Sequence, residues 1–548
     1  MLMIEINNLK KYYGDRLILD IKDFKAYYGE KIGIVGANGA GKTTLLDMLS
    51  GRLSPEEGDI RTCRDISYIR QLEVEADSEV DRRMAGEFGL GFESLATASG
   101  GERTRFKIAS CLSENSSILL ADEPTANLDI EGIELLEEKL SAFKGLLLLV
   151  SHDRELLDKL CGKIIEIENG GLKQYSGTYS QYKRQKEMEL DRVQFEYDRY
   201  TSAKRALEEA ITGKKNRRAS MRKTPKRMGN SEARLHKLGN QKANANLSKD
   251  IKAMETRISK LEAKERPKEQ QRVKIDIREG EKPVSRVLIA GSGITKAFGS
   301  RELLREAGFE VTNGSKTALI GGNGTGKSTL LRMIMEGHES IKLANGVRLG
   351  YFSQDTGILE DGSTILENVM RGSSFPEHFA RTVLARLLFR RDDVYKRAGQ
   401  LSGGERVRAC FAKLFCSEVN VIILDEPTNY LDLYSMEAVE NALKLYEGTL
   451  LFASHDRKLI DSTADRLIFI ENSRLNTFEG SYGEYNEMKK QPAARGDSDI
   501  ERQKMLLDTR LSEVISRLSM PGRGDDPEQL DMEYKKILAE KRRLETER

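Results

Sequence analysis

Short apolar runs recur along the chain, each long enough for one buried strand: positions 31–35, 66–69, 118–121 and 145–150, then 317–320, 349–352 and 421–424. Runs of about four to six such residues, bounded by turn-forming or charged segments, read as strands shielded on both faces. Two of them, 31–35 and 317–320, lead through a glycine-rich loop into helix-forming residues, Thr44-Leu45-Leu46 and Thr329-Leu330-Leu331. Strand and helix alternating in this way predict an α/β fold. The middle of the chain follows another period. Leu190, Val193, Tyr197, Tyr200, Leu207 and Ile211 advance by threes and fours, with Lys204 interrupting the seam, and Leu247, Ile251, Met254, Ile258 and Leu261 repeat the spacing. That is the pattern of two helices packed as a coiled coil. Helix breakers stand between them at Gly213, Pro225, Gly229-Asn230 and Gly239-Asn240, so a helical hairpin is expected, its tip between Pro225 and Asn240. An arm of about 30 residues would reach about 45 Å, farther than a plain connector needs. A shorter hairpin is expected at the end of the chain. Ile500, Leu507, Leu511, Val514 and Leu518 precede a turn-forming run at 521–527, and Leu530, Tyr534, Ile537 and Leu544 return.

The strand-and-helix portions are two copies of one unit. Gly36-Ala37-Asn38-Gly39-Ala40-Gly41-Lys42-Thr43 is a Gly-x-x-x-x-Gly-Lys-[Ser/Thr] loop, and Gly321-Gly322-Asn323-Gly324-Thr325-Gly326-Lys327-Ser328 is a second, at an offset of 285. Ser99-Gly100-Gly101-Glu102 recurs as Ser402-Gly403-Gly404-Glu405, and Asp122-Glu123-Pro124-Thr125 as Asp425-Glu426-Pro427-Thr428, both at an offset of 303. His152 follows Glu123 at the same interval as His455 follows Glu426, each in the phrase Ser-His-Asp-Arg. The bounds of the repeat predict domains at 1–182 and 285–489, a helical linker at 183–284 and the terminal hairpin at 490–548. Gln71 lies much nearer in sequence to Ser99 than Gln354 does to Ser402, so the first copy is abbreviated there and has no room for a large inserted arm.

These residue types suit phosphoryl chemistry. Glycines let backbone N–H groups wrap phosphates, the following helix N-terminus adds positive potential, Lys42 or Lys327 reaches the β/γ-phosphates, and Thr43 or Ser328 ligates Mg²⁺. Thr44 and Thr329 complete each loop. Asp122 and Asp425 end apolar runs, which puts a carboxylate beside the phosphates to hold Mg²⁺ through water. Glu123 and Glu426 follow directly, placed to orient and polarise an attacking water, and His152 and His455 can bond the γ-phosphate. Tyr13 and Phe298 precede their loop lysines, Lys42 and Lys327, at one common interval, where a ring would stack on adenine. Core packing is the alternative for both, and Tyr12 competes with Tyr13.

Charge changes the picture of the linker. The 548 residues carry a net +2, but residues 183–270 alone carry +12, leaving the rest near −10. Eight basic residues, Lys214, Lys215, Arg217, Arg218, Arg222, Lys223, Lys226 and Arg227, fall in a stretch without an acid. Positive charge so concentrated favours a polyanion, because binding releases phosphate counterions. Met228, Leu235 and His236 are less polar residues near the expected tip, with packing inside the turn as their bland reading. The five cysteines are scattered without a Cys-x-x-Cys pair, which argues against disulfide, zinc and iron–sulfur frameworks. No apolar run approaches the roughly 20 residues that span a bilayer, and the N-terminus lacks signal-peptide character. A cytoplasmic protein is expected.

The order of loop, signature, Asp-Glu and His resembles the ATP-binding cassette family, whose two cassettes close face to face on two nucleotides. Tandem cassettes, a charged helical linker and the phrase Glu-Pro-Thr-Asn-Tyr-Leu-Asp at 426–432 are together similar to the ABC-F proteins, which act on ribosomes. The absent arm, long basic linker and terminal hairpin resemble the antibiotic-resistance, Vga-like group. That resemblance implies ATP and Mg²⁺ as cofactors, with Gln71 and Gln354 joining the metal and the attacking water. It implies that Ser99, Gly100 and Gly101 cap the nucleotide held by Lys327, and Ser402, Gly403 and Gly404 the one held by Lys42. It further implies a monomer that pairs its own cassettes, needs no membrane subunit, and contacts large-subunit rRNA and P-site tRNA from the ribosomal exit-tRNA site. Its linker tip would dislodge lincosamide, pleuromutilin or streptogramin A drugs, with ATP hydrolysis driving release. A housekeeping ABC-F translation factor is the alternative. A transport ATPase would leave the basic hairpin unexplained, and a long-coil DNA-repair ATPase would carry its coil inside one cassette. A ribosome-recycling ATPase would carry cysteine-rich motifs.

Overall fold

A computed structural model describes residues 1–63, 65–70, 81–90, 100–114, 116–221, 230–261, 283–299, 301–353, 357–389 and 391–490. The first half runs β1 (Leu2–Tyr13), β2 (Arg16–Tyr27), β3 (Lys31–Val35), α1 (Lys42–Leu49), β4 (Glu57–Thr62), β5 (Ile66–Ile69), α2 (Arg82–Glu87), α3 (Gly100–Ser113) and β6 (Ile118–Asp122). It continues through α4 (Ile130–Ala142), β7 (Leu146–Val150), α5 (Arg154–Leu160), β8 (Lys163–Glu168) and β9 (Gly171–Ser176). Strands in the order β5-β6-β7-β3-β8-β9 form one sheet, parallel except for β9, and β2-β1-β4 form a smaller antiparallel one. Every residue of β6 and β7 is buried. The pleat explains their unbroken apolar composition: Leu147 and Leu149 pack among Leu136, Leu140 and Leu156 of α4 and α5. Leu146 and Leu148 pack instead among Leu45 and Leu46 of α1 and the β1 side chains Ile4 and Ile6. A strand with a core on each face has no polar side to show.

The linker is two antiparallel helices, α6 (Tyr179–Met221) and α7 (Asn230–Lys260). They are cross-linked by Lys214–Asp250 at 2.6 Å and Lys215–Glu255 at 3.3 Å. Ile211 and Ile251 are the buried centre of the seam. Three expectations change here. Gly213 and Gly239-Asn240 do not break the helices, Pro225 and Gly229 lie outside the described residues, and Leu235 and His236 belong to α7. One glycine costs a helix only about 1 kcal/mol, which helices of 43 and 31 residues carry. Leu190 and Val193 are exposed rather than in the seam. The expected domain boundary at 182 falls inside α6, whose first turn buries Tyr179 and Tyr182 in the first half's core. The linker therefore grows out of that core as one helix.

The second half repeats the plan: β10 (Val287–Phe298), β11 (Arg301–Thr312), β12 (Lys316–Gly321), α8 (Lys327–Glu336), β13 (Ile341–Leu343), β14 (Leu349–Phe352), α9 (Ile365–Met370), α10 (Glu377–Arg386) and α11 (Gly403–Phe415). After these come β15 (Val421–Asp425), α12 (Leu433–Leu445), β16 (Thr449–Ala453), α13 (Arg457–Thr463), β17 (Arg466–Glu471), β18 (Arg474–Glu479) and α14 (Tyr482–Lys490). Its sheet order, β14-β15-β16-β12-β17-β18, matches the first. The expected terminal hairpin lies outside the described residues.

Candidate active site

In both sheets the strand that feeds the glycine-rich loop sits beside the strand that ends before the Ser-His-Asp-Arg phrase, and the Asp-Glu strand comes next. Their carboxyl ends therefore open on one crevice, the usual ligand site of a parallel sheet. Gly41 and Gly326 start α1 and α8 with φ of 101° and 104°, a left-handed conformation that a side chain resists. Gly36 has a different constraint, since a Cβ there would meet the Ile167 carbonyl oxygen at 2.6 Å. Lys42 Nζ folds back to donate to the carbonyls of Gly36 (2.8 Å) and Ala37 (3.1 Å). Lys327 does the same with Gly321 and Gly322, and also lies 3.0 Å from His455 Nε2. Burial lowers the pKa of both lysines.

Thr43 Oγ1 donates to Asp122 at 2.7 Å, and Ser328 Oγ to Asp425 at 3.1 Å. Glu123 and Glu426 each adopt φ of +49°, unusual for glutamate, and each accepts the backbone N–H of its histidine, His152 at 3.1 Å and His455 at 3.3 Å. The other carboxylate oxygen of each glutamate is buried and accepts no hydrogen bond, although the histidine Nε2 is 3.3 Å and 3.5 Å away. Burial, with Asp122 adding to it, pushes Glu123 up to about 8. Burial pushes Glu426 to about 7. Burial and the neighbouring lysine lower His152 to about 4 and His455 to about 3, so both rings are neutral at physiological pH. Burial also raises Asp122 and Asp425.

The two halves meet head to tail. Asn38 donates from its backbone to Asp432 at 3.0 Å and from its side chain to the Tyr430 carbonyl at 3.2 Å. At the other end Asn323 donates to Asp129 at 3.1 Å and to the Asn127 carbonyl at 2.7 Å. A Cβ on Gly101 would sit 3.0 Å from the Asn323 amide nitrogen, and one on Gly404 would sit 3.8 Å from that of Asn38. Each glycine-rich loop thus faces the Ser-Gly-Gly turn of the opposite half. Ser402 caps α11 with Glu405 in a reciprocal pair, placing Gly403 and Gly404 at the helix start. Gly100 and Gly101 begin α3. Tyr13 and Phe298 are 54% and 60% exposed at the ends of β1 and β10, so neither is a core residue, whereas Tyr12 is half-buried. Ser99, Gln71 and Gln354 lie outside the described residues, as do Arg222, Lys223, Lys226, Arg227 and Met228.

The profile of the ABC transporter family matches residues 19–126 and 304–429. The erythromycin resistance ATP-binding protein MsrA of Staphylococcus epidermidis is 32% identical, over 84% of this chain and 96% of its own. The ribosome protection protein VmlR of Bacillus subtilis is 30% identical, over 94% of this chain and 93% of its own. The energy-dependent translational throttle protein EttA of Escherichia coli is 30% identical, over 84% and 90%. The chain belongs to the ABC-F family of ATPases. The fold also matches archaeal ribosome recycling factor aABCE1, solved with ribosomal stalk protein aP1 (TM-score 0.58, 20% identity, 88% of this chain and 92% of that one). Among the described residues of this ABC-F chain, no helix is long and apolar enough to cross a membrane.

The motifs of this ABC-F protein did not reveal how its halves hold one another. Asp129 and Asp432 each use one oxygen to cap α4 or α12 and the other to grip the opposite loop. The repeat of Leu-Asp at an offset of 303 was the available signal, obscured because Ala126-Asn127 precede it in the first copy and Asn429-Tyr430 in the second. Equally unread was the footing of α6. Tyr182 and Tyr434 both donate to Glu166, at 3.0 Å and 2.6 Å, and Lys186 pairs with it at 2.8 Å. Glu166 is on β8 and Tyr434 on α12, so the linker's first turns are bonded to both cassettes.

Proposed function

We propose that this ABC-F ATPase closes its cassettes on two ATP molecules and works on the bacterial ribosome from the cytoplasm. The observation that carries the first part is the head-to-tail facing of Asn38 with Gly404 and Asn323 with Gly101, which leaves a nucleotide between each loop and the opposite Ser-Gly-Gly turn. The loops 36–44 and 321–329 wrap the phosphates, and Tyr13 and Phe298 offer rings to adenine. Thr43 with Asp122, and Ser328 with Asp425, are oxygen donors already in contact, a donor set that suits Mg²⁺; Gln71 and Gln354 would join them. The metal supplies neutralisation of phosphate charge. Glu123 and Glu426, each with an unpartnered buried oxygen, orient and polarise the attacking water. His152 and His455, neutral and within reach of those glutamates, donate to the γ-phosphate. Changing both glutamates to glutamine should abolish turnover and leave ATP binding intact, producing a protein that stays closed and on ribosomes. Near-normal hydrolysis by that variant would remove the assignment.

On the ribosome, the +12 linker is read as the rRNA-contacting arm, reaching from the exit-tRNA site past P-site tRNA toward the peptidyl-transferase centre. Similarity to a ribosome protection protein over 94% of this chain, and to an erythromycin resistance protein, supports a role in antibiotic resistance by protection of the ribosome. Similarity to a translational throttle at the same 30% identity supports the second reading, a translation factor without resistance activity. A susceptibility profile of a sensitive bacterium with and without the gene separates them. Raised tolerance to a lincosamide, a pleuromutilin or streptogramin A is expected, and erythromycin belongs in the panel. No change against any of these drugs would favour the translation factor.

A further inference from the structure

We propose that Arg154 and Arg457 position the catalytic turn of the opposite cassette, so that each hydrolytic site is held in shape from across the interface. The proposal rests on the assignment of Glu123 and Glu426 just given. The Ser-His-Asp-Arg phrase is held by three hydrogen bonds in each cassette, and in the first cassette by a fourth. The histidine backbone N–H is held by the catalytic glutamate, and the aspartate N–H donates to the serine Oγ, at 3.0 Å in the first cassette and 3.1 Å in the second. One aspartate oxygen caps the helix that follows, through Leu156 N and Leu459 N at 3.0 Å. The other oxygen of Asp153 accepts from Arg457 at 3.3 Å, whereas that of Asp456 accepts no hydrogen bond and has Arg154 Nη2 only at ion-pair distance, 3.7 Å.

Arg457 places Nη2 3.3 Å from Asp153, Nη1 3.1 Å from Glu137 and Nε 3.3 Å from Glu155, and its side chain is only 4% exposed. Arg154 places Nη1 2.7 Å from Glu440 and Nη2 3.7 Å from Asp456, at 8% exposure. Neither arginine touches a group that a nucleotide would touch, so neither is a catalytic residue. Yet Asp153 is the neighbour of His152 in sequence, and Asp456 of His455. A bonded path therefore runs from Glu123 through His152 and Asp153 to Arg457, along the backbone to Asp456 and His455, and on to Glu426. Burying a guanidinium among carboxylates is costly unless the geometry is satisfied. With the two turns brought together, Arg457 is hydrogen-bonded through Nη1 and Nη2, while Arg154 Nε and Nη2 are buried without a hydrogen-bond partner. The two crossings are unequal: Arg457 has three carboxylates and Arg154 has one close and one distant, so the turn holding His152 is gripped more firmly than the one holding His455.

The test uses the full chain with one active site at a time. Arg154→Gln or Arg457→Gln is combined with either Glu123→Gln or Glu426→Gln, and kcat and KM for ATP are measured. Arg154→Gln should lower kcat about tenfold where Glu426 is the remaining glutamate, and less than about twofold where Glu123 remains. Arg457→Gln should do the reverse, with the larger loss because its crossing is the firmer, and Arg→Lys should recover part of each loss. Equal losses at both sites would mean that the arginines merely hold the halves together, and a loss confined to the arginine's own cassette would also overturn the proposal. A second reading does not depend on the glutamates. The chain has five histidines, so ring NMR signals can be assigned singly. Arg154→Gln should move the His455 signal and leave His152 in place. A shift of His152 alone, or of neither, would reject the coupling even if the glutamates proved not to be catalytic.

Discussion

At the scale of single residues, the decisive feature is a glutamate held in a conformation it does not prefer. Left-handed φ at a non-glycine residue costs of order 1 kcal/mol or more, and Glu123 and Glu426 share it at +49°. What holds them is the backbone: Glu123 N donates to Val150 O, Glu426 N to Ala453 O, and each side chain takes its histidine's N–H. The second strain is electrostatic. With a pKa near 8, against an ordinary value of 4.5, Glu123 keeps a proton in the folded, nucleotide-free protein that it would lose when unfolded. The folded state thus loses stability as pH rises from about 4.5 through 8. Glutamine has no proton to lose and can still accept from His152 N–H. In EDTA and without nucleotide, Glu123→Gln should therefore match the parent Tm near pH 5 and exceed it at pH 8 by about 2–4 °C, if the relief is about 1 kcal/mol. A gain that does not grow with pH would refute the burial penalty. The glycines, lysines, hydroxyls, acids and histidines of both sites were legible as motifs because each is fixed by chemistry at a short spacing. Asp129, Asp432, Arg154 and Arg457 were not, because their partners lie in the other half of the chain, hundreds of positions away in sequence. A spacing argument sees only neighbours.

At the scale of elements, the buried strands were legible almost to the residue, since a strand with two cores must be apolar throughout. The linker helices were legible in period but not in extent. Glycine and asparagine read as breaks at 213 and 239–240, yet both positions lie within helices whose long seams and cross-helix pairs outweigh a local propensity. The pairs also refine the charge argument. Lys214 and Lys215 are tied to Asp250 and Glu255, so part of their field is already neutralised within the hairpin. Arg217 and Arg218, one turn farther along α6, have no such pair among the described residues. Each phosphate contact contributes about 0.7–0.9 to the log–log slope of binding against salt. Arg217→Ala with Arg218→Ala should lower the slope for ribosome binding by about 1.4–1.8, and Lys214→Ala with Lys215→Ala by less. Equal slopes for both double variants and the parent would mean that these side chains only solvate the arm.

At the scale of the whole molecule, the cassettes and the arm are one connected body. α6 leaves the first cassette as an unbroken helix, and Glu166, Tyr182, Tyr434 and Lys186 bond its first turns to both cassettes. Among the described residues the second copy shows no such footing: Phe469 stands where Glu166 does and stacks on Tyr485 at 4.2 Å. Closing on nucleotide should therefore set the direction of the arm, and arm length should set what the tip reaches. Removing one heptad from each facing stretch, 215–221 and 243–249, which the Lys214–Asp250 pair sets opposite each other, keeps the helical phase and draws the tip back by about 10 Å. The cassette contacts lie far from these stretches, so ATP hydrolysis should remain within about twofold of the parent. Because the deletion also removes basic residues, the Arg217→Ala, Arg218→Ala protein is its control for charge. In a strain that the intact protein protects, the shortened protein should give no protection while the charge control keeps a measurable part of it. Full protection by the shortened arm, with an unchanged drug spectrum, would mean that the tip does not act near the drug. If the intact protein protects against none of the panel while the shortened one alters translation rate, the arm serves a translation factor instead.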